Sequence, residues 1–351
     1  MQDKKFFKIL LFGIVLVLFL ISGVMIIVDP YFHYHKPLKF LNYRLSNERY
    51  LNDGIMKNFE YDSIITGTSM TENFKVTQFN ELFERNSIKI PFAGGSFKEI
   101  DDNIERALKY NSDIQIVLRG LDYGGILSDS ERMRYESYPE YLYDDNIFND
   151  YKYLLNKDLI IKGLGGVFYY TIIRRNTTTF DEYVNWDNFY ISGKKSVLAS
   201  QKRLQKECTI KNFTKEEIEM VRKNIEKNVL DLPKKYPNTK FIYFITPYSI
   251  VYWDELNQKG EVEKQIMAEK YMIEKILEIS NIELYSFFNN YDIICDLDNY
   301  KDAGHYMGKI NDKILKWISK KEYLLTKDNY QEYINKNLEF YKNYNYDKIY
   351  E

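Results

Sequence analysis

Tyr61-Asp62-Ser63-Ile64-Ile65-Thr66-Gly67-Thr68-Ser69-Met70 is the stretch from which the rest of the chain can be read. A β-branched apolar run rises out of a charged segment, stops at a glycine, and is followed two residues later by a serine. This is how a parallel strand ends when its turn must present a hydroxyl at the carboxyl edge of a sheet. Far along the chain, 236 positions on (305 − 69), Asp302-Ala303-Gly304-His305 places an acid three residues before a histidine. A serine hydroxyl becomes a useful nucleophile when an imidazole takes its proton, and the imidazole needs an acid to hold its tautomer. Ser69, His305 and Asp302 are therefore the candidate nucleophile, base and orienting acid. The plainer readings are a turn with a helix cap at Ser69 and a surface pair at Asp302 and His305.

Outward from that strand, alternating elements continue. Thr77 is expected to cap a short helix through Phe83, and Ser87 to Pro91 reads as a second strand, followed by Gly94-Gly95. Phe97, Ile100, Ile104, Ala107 and Leu108 share one face of a helix. Ile114 to Leu118 reads as a third strand, ending in Arg119-Gly120-Leu121-Asp122. Strand and helix in alternation imply a mainly parallel sheet with helices on its faces. Ligands collect at the carboxyl ends of such strands. The turns holding Ser69, Gly94 with Gly95, and Asp122 all arrive there. An oxyanion needs backbone N–H donors, for which Ser69, Gly94 and Gly95 are candidates; Asp122 and Tyr248 are candidate substrate-binding residues.

Residues 128–212 are the least regular part and read as an insertion of helices and loops over the carboxyl edge. Asn176-Thr177-Thr178 and Asn212-Phe213-Thr214 match the glycosylation triplet, which is discounted in a chain read as bacterial. Thr214-Lys215-Glu216-Glu217 is a capping box opening a helix with Ile218, Val221, Ile225 and Val229 on one face, expected to stop at Pro233. The sheet resumes at Lys240 to Thr246 and again at Ile282 to Phe287, with a helix marked by Ile266, Ile273 and Leu277 between them. A helix bearing Ile310, Ile314, Trp317 and Ile318 follows His305. The domain is thus expected to span 61–321, with 322–351 a peripheral helix or tail lacking a strong apolar stripe.

The other end is different in kind. Ile9 to Val28 runs 20 residues without a charge, long enough to cross a bilayer. Lys4, Lys5 and Lys8 precede it, which predicts a cytoplasmic tip at 1–8 and an exported remainder on the cell membrane. A cleaved signal peptide and a buried core helix are the competing readings. The first is opposed by the run's length and the lack of an Ala-x-Ala-like site, the second by its being apolar all round. Residues 29–60 read as an extended lead-in. His33 and His35 within it are expected to be interfacial aromatics; a metal pair would want a third ligand.

Composition narrows the function classes. The 351 residues carry 45% hydrophobic and 28% charged residues at a net charge of −2, giving no basic stripe for nucleic acid. The aromatic content of 17% includes 33 Tyr and 22 Phe, which suits a carbohydrate-facing surface or a biased genome. Cys208 and Cys295 match no metal spacing and form no disulfide framework. With three histidines in all, a histidine-dependent site has few places to be.

On these residues the chain resembles the SGNH (GDSL-like) hydrolase superfamily, which implies a three-layer α/β/α sandwich with a mainly parallel sheet, preceded by one transmembrane helix. Gly67-Thr68-Ser69 stands for the first block, with threonine where the family has aspartate; Gly94 or Gly95 stands for the second, and Asp302 with His305 for the last. The family's third-block asparagine has no counterpart, since Arg119-Gly120-Leu121-Asp122 occupies that place. The anchor, the Gly-x-Ser and the late Asp-x-x-His make it similar to the membrane-anchored branch. That branch includes the D-alanyl transfer protein of teichoic-acid synthesis and the alginate-type O-acetylation proteins. The resemblance covers roughly residues 55 to 320. It implies a serine esterase or acyltransferase acting on acyl esters of cell-surface glycan or teichoic acid, with no cofactor and no metal. It also implies a membrane-bound O-acyltransferase as partner. The alternative is a non-catalytic glycan-binding or scaffolding subunit with the same fold.

Overall fold

A computed structural model describes residues 2–134, 138–144, 146–203 and 209–351; Tyr135 and Cys208 lie outside the described residues. The chain divides into two compact units. One comprises Met1–Glu60 with Ser137–Val184, the other Tyr61–Glu136 with Asn185–Glu351. The stretch read as a single insertion is thus shared out: its middle folds with the amino-terminal residues, and its end folds with the sheet.

The sheet unit is mixed α/β. Its strands are β1 (Ser63–Thr66), β2 (Ser87–Lys89), β3 (Ile116–Leu121), β4 (Lys240–Ile245), β5 (Ile282–Ser286) and β6 (Leu324–Leu325). They lie in the order β2-β1-β3-β4-β5-β6; the first five are parallel and β6 runs antiparallel to β5. From β1 the chain crosses to β2 on one side and then to β3 on the other. The carboxyl ends of β1 and β3 therefore flank the topological switch point, where an open sheet leaves a crevice. Every residue of β1 and β3 is buried, which accounts for their largely apolar sequences without polar alternation.

Local expectations are adjusted at several places. Residues 29–60, read as extended, contain the helix Glu48–Asn58 with Leu51, Ile55 and Met56 buried, and the tail adds the edge strand β6 at Leu324–Leu325. The helix Val76–Phe83 begins after Lys75, leaving Thr77 inside its first turn. The third strand runs on to Leu121 because Arg119, a charge that reads as a turn signal, is wholly buried. Its guanidinium meets Asp101 Oδ1 at 2.9 Å and the Phe97 carbonyl at 3.1 Å on the neighbouring helix Phe97–Tyr110. Thr214 and Glu217 do form the capping box, but the helix passes through a π-turn at Glu226–Leu230 and ends at Lys235. Pro233 lies in the last segment, Asp231–Lys235, two residues before the helix ends. The tail is a helix, Tyr330–Asn343, with Tyr333, Ile334, Asn337 and Tyr341 buried.

In the other unit the helix Gln2–Val28 is long and apolar enough to cross a membrane, and most of it is exposed. It ends at Asp29, which adopts a left-handed conformation (φ 43°) that aspartate tolerates. The buried Asp29 carboxylate accepts the N–H groups of His33 (3.0 Å), Tyr34 (2.7 Å) and His35 (2.9 Å) and the Tyr153 hydroxyl (2.8 Å). His33 Nε2 meets Asp150 at 3.4 Å, and the His35 ring meets the carbonyls of Ile26 and Lys36. The His35 ring is thereby bonded at both nitrogens and the His33 ring at Nε2, each within the protein.

Candidate active site

Gly67 explains why the first turn can be so tight. Its φ of +146° disfavours a side chain, and a Cβ there would lie 2.6 Å from Thr71 Cγ2 and 3.2 Å from the Gly120 backbone. The chain then enters the 3₁₀ turn Ser69–Thr71, capped by Thr68. Thr71 Oγ1 donates to the Thr68 carbonyl at 2.8 Å, which fixes the turn from within. Behind it, the buried Lys89 of β2 donates to the carbonyls of Glu72 and Phe74.

The turn delivers Ser69 Oγ to 2.8 Å from His305 Nε2. His305 Nδ1 lies 2.9 Å and 3.0 Å from the two Asp302 carboxylate oxygens. Asp302 Oδ1 also accepts the backbone N–H groups of Gly304 (3.0 Å) and His305 (2.8 Å). Partial burial pushes the Asp302 carboxyl up, but the His305 bond and charge, with those N–H donors, outweigh it and hold it below the ordinary carboxylate range. The three residues expected to act together are thus in one hydrogen-bonded chain, assembled across 236 positions of sequence.

The loop carrying Asp302 and His305 is tied to the nucleophile turn and to β4. Tyr300 and Tyr306 bridge its base, and the Tyr306 hydroxyl and Asn311 Nδ2 both donate to the Met70 carbonyl at 3.0 Å. Ser249, beyond β4, donates its N–H (3.0 Å) and Oγ (2.7 Å) to the Ala303 carbonyl. These bonds hold the imidazole opposite the serine without any covalent link.

The oxyanion candidates separate. Gly95 N–H donates to the Phe92 carbonyl at 2.8 Å and closes a turn, so it is spent. Gly94, exposed and left-handed (φ 64°), has no acceptor for its N–H among the described residues. The loop is anchored to the nucleophile turn by the Phe92 N–H on the Gly67 carbonyl at 2.8 Å. Asp122 and Tyr248, expected to bind substrate, are joined to each other: the Tyr248 hydroxyl donates to Asp122 Oδ1, and Thr68 Oγ1 donates to Asp122 Oδ2 at 2.8 Å. Burial pushes the Asp122 carboxyl up, against the Thr68 bond and the His305 charge. Thr68 therefore carries a contact with the end of the third strand. A cavity of about 140 Å³ opens here, lined by Gly94, Gly95, Asp122, Gly124, Arg132 and Arg134.

Trp186 was not foreseen. Its Nε1–H donates to the Ser69 carbonyl at 3.2 Å, and its ring meets the His305 ring edge-on at 5.8 Å. Lys301 Nζ sits 4.0 Å from the Trp186 ring centre and 3.9 Å from that of Tyr190. Partial burial lowers the Lys301 ammonium pKa. In sequence, Asn185-Trp186-Asp187 sits within an irregular stretch with no periodicity; only the scarcity of tryptophan, three in the chain, marked it. A second cavity, of about 570 Å³, touches the site through Asp302 and Ala303 and extends to Arg203, Asp254 and Glu255.

No family model and no curated protein matches the chain. A solved structure from Streptococcus pneumonia, provisionally named a platelet activating factor, aligns over 78% of this chain and 89% of its own, at 12% identity and a TM-score of 0.39. A likeness that slight carries no argument about fold or chemistry.

Proposed function

We propose that this chain is a membrane-anchored serine esterase or acyltransferase of the SGNH type, acting outside the cell membrane on acyl esters of cell-surface glycan or teichoic acid. The observation that carries the reading is the unbroken chain from Ser69 Oγ through His305 to Asp302, at 2.8 and 2.9 Å. The mainly parallel sheet, with Ser69 leaving β1 beside the switch point, supports it.

In this reading Ser69 Oγ attacks the acyl carbonyl carbon while His305 Nε2 takes the hydroxyl proton. Asp302 holds Nδ1 and balances the imidazolium that forms. The oxyanion is received by the N–H groups of Ser69 and Gly94. Collapse returns the proton from His305 to the departing alcohol oxygen and leaves an ester on Ser69. Water, or a sugar hydroxyl deprotonated by the same imidazole, then attacks that ester and releases Ser69. Trp186 screens one side of the imidazole, and the acyl donor is supplied by a membrane-bound O-acyltransferase.

The test is covalent labelling of the full chain by a fluorophosphonate, with Ser69→Ala and His305→Ala beside it. Labelling of the wild type that vanishes in both variants is expected. Failure of folded wild type to label would reject an activated Ser69.

A further inference from the structure

The helical stretch 157–172 has two apolar faces, and one of them is uncovered. Leu159, Leu164, Val167 and Tyr170 are buried against their own unit. Ile161, Gly165, Phe168, Tyr169 and Ile172 recur at spacings of 4, 3, 1 and 3 on the outer side. Ile172 is 78% exposed, and Ile161 and Tyr169 are each 59% exposed. Apolar side chains on the outer side as well as the buried side of a helix call for a second contact, and exposed apolar surface of this kind marks a contact yet to be made.

Its position within the unit identifies the medium. Gly163 lies against the residues that leave the amino-terminal helix: a Cβ there would come within 2.8 Å of the Tyr31 ring and 2.9 Å of Pro30. Tyr153, just upstream, donates to Asp29 at 2.8 Å, so the exit of that helix is locked into the same unit. At the far end, the Asn42 N–H donates to Thr171 Oγ1 at 2.9 Å, and Phe40, two residues before Asn42, is exposed as Ile172 is. Lys157, Lys162, Arg174 and Arg175 are exposed along the stretch, against one exposed acid, Asp158.

We infer that the outer face of 157–172 lies in the lipid headgroup layer, beside the point where the anchor leaves the bilayer. The inference rests on reading Gln2–Val28 as that anchor. Apolar and aromatic side chains on one face, with flanking lysine and arginine to meet anionic headgroups, are what an interfacial helix needs. Tyr169 supplies the amphipathic ring favoured at that depth. The helix would fix the tilt of its unit on the membrane, which a single flexible anchor cannot do.

The test uses the full chain in nanodiscs of phosphatidylcholine and phosphatidylglycerol. Single cysteines replace Ile161, Ile172 and, in the anchor, Phe19, in a Cys208→Ser/Cys295→Ser background shown to melt like the wild type. Each is labelled with bimane and quenched by doxyl lipids or by aqueous iodide. Doxyl quenching with protection from iodide at both 161 and 172 is expected. Iodide quenching at either, while 19 is quenched by doxyl lipid, overturns the inference and leaves the anchor standing. Failure of doxyl quenching at 19 overturns the anchor reading itself. Protection of 161 and 172 from both quenchers would mean that protein covers the face, and would also overturn the inference.

Discussion

Replacing Asp302 by Asn removes one charge from the proposed catalytic chain and leaves its shape. The asparagine oxygen can keep the Gly304 and His305 N–H bonds at 3.0 and 2.8 Å, so the loop retains its support. What is lost is the carboxylate facing the imidazolium at 2.9 Å. At an effective dielectric of about 20 that attraction is about 5–6 kcal/mol. Both side chains are close to one-third exposed (31% and 29%), so about half of it survives screening. The range of about 3 to 6 kcal/mol corresponds to a loss of about 10²–10⁴ in the rate of Ser69 acylation. The assay is the second-order rate of fluorophosphonate labelling, run beside thermal unfolding. A labelling rate equal to wild type in a protein that melts normally would refute the orienting role of Asp302. Acid stability checks the same group independently. Its folded pKa is depressed, so its contribution is present above about pH 4 and is lost as pH falls through the lower folded value. Asp302→Asn is expected to flatten that acid limb.

Three further outcomes are expected. Gly67→Ala, strained at φ +146° and only 2.6 Å from Thr71, should cost about 1–3 kcal/mol or more in denaturant unfolding; wild-type stability would contradict the tight turn. Thr68→Val keeps the shape but withdraws the hydroxyl from Asp122, costing about 1–3 kcal/mol and slowing Ser69 labelling; an unchanged melt and rate would show the bond to be idle. Glu269, buried and accepting the hydroxyls of Tyr123 (2.9 Å) and Tyr333 (2.5 Å), is pushed up to about 7 by burial. A raised folded pKa gives stability that is full below the unfolded value near 4.3 and declines as pH rises through about 7. Glu269→Gln should therefore flatten the stability profile between pH 4.5 and about 7, and a melt series that keeps its slope would count against it.

The residues that announced themselves in sequence did so through local physics. A β-branched run ending in glycine and serine has few other uses, and β1 with Ser69 lies where that pattern places them. The Phe97–Tyr110 helix and the Thr214–Glu217 capping box followed from periodicity and spacing alone. Asp302 and His305 were legible because they are three residues apart, and because so few histidines compete for the role.

Whatever depends on distant partners was hidden. Arg119 reads as a turn until Asp101 is found beside it, and the tail shows no leucine stripe because tyrosine and asparagine fill its buried face. Trp186, Lys89 and the Thr68–Asp122 bond reach the site from segments with no shared periodicity. Gly95 looked free until its N–H was found closing a turn on Phe92. The sequence by itself determined the order of the five parallel strands and the chemical types of the proposed nucleophile, base and acid, because propensity, turn residues and short spacings act within a few positions. Only the tertiary structure decided that Ser69 and His305 meet, which N–H groups stay free, and that residues 137–184 fold with the amino-terminal helix. Those outcomes are set by packing and hydrogen bonds between segments far apart in the chain.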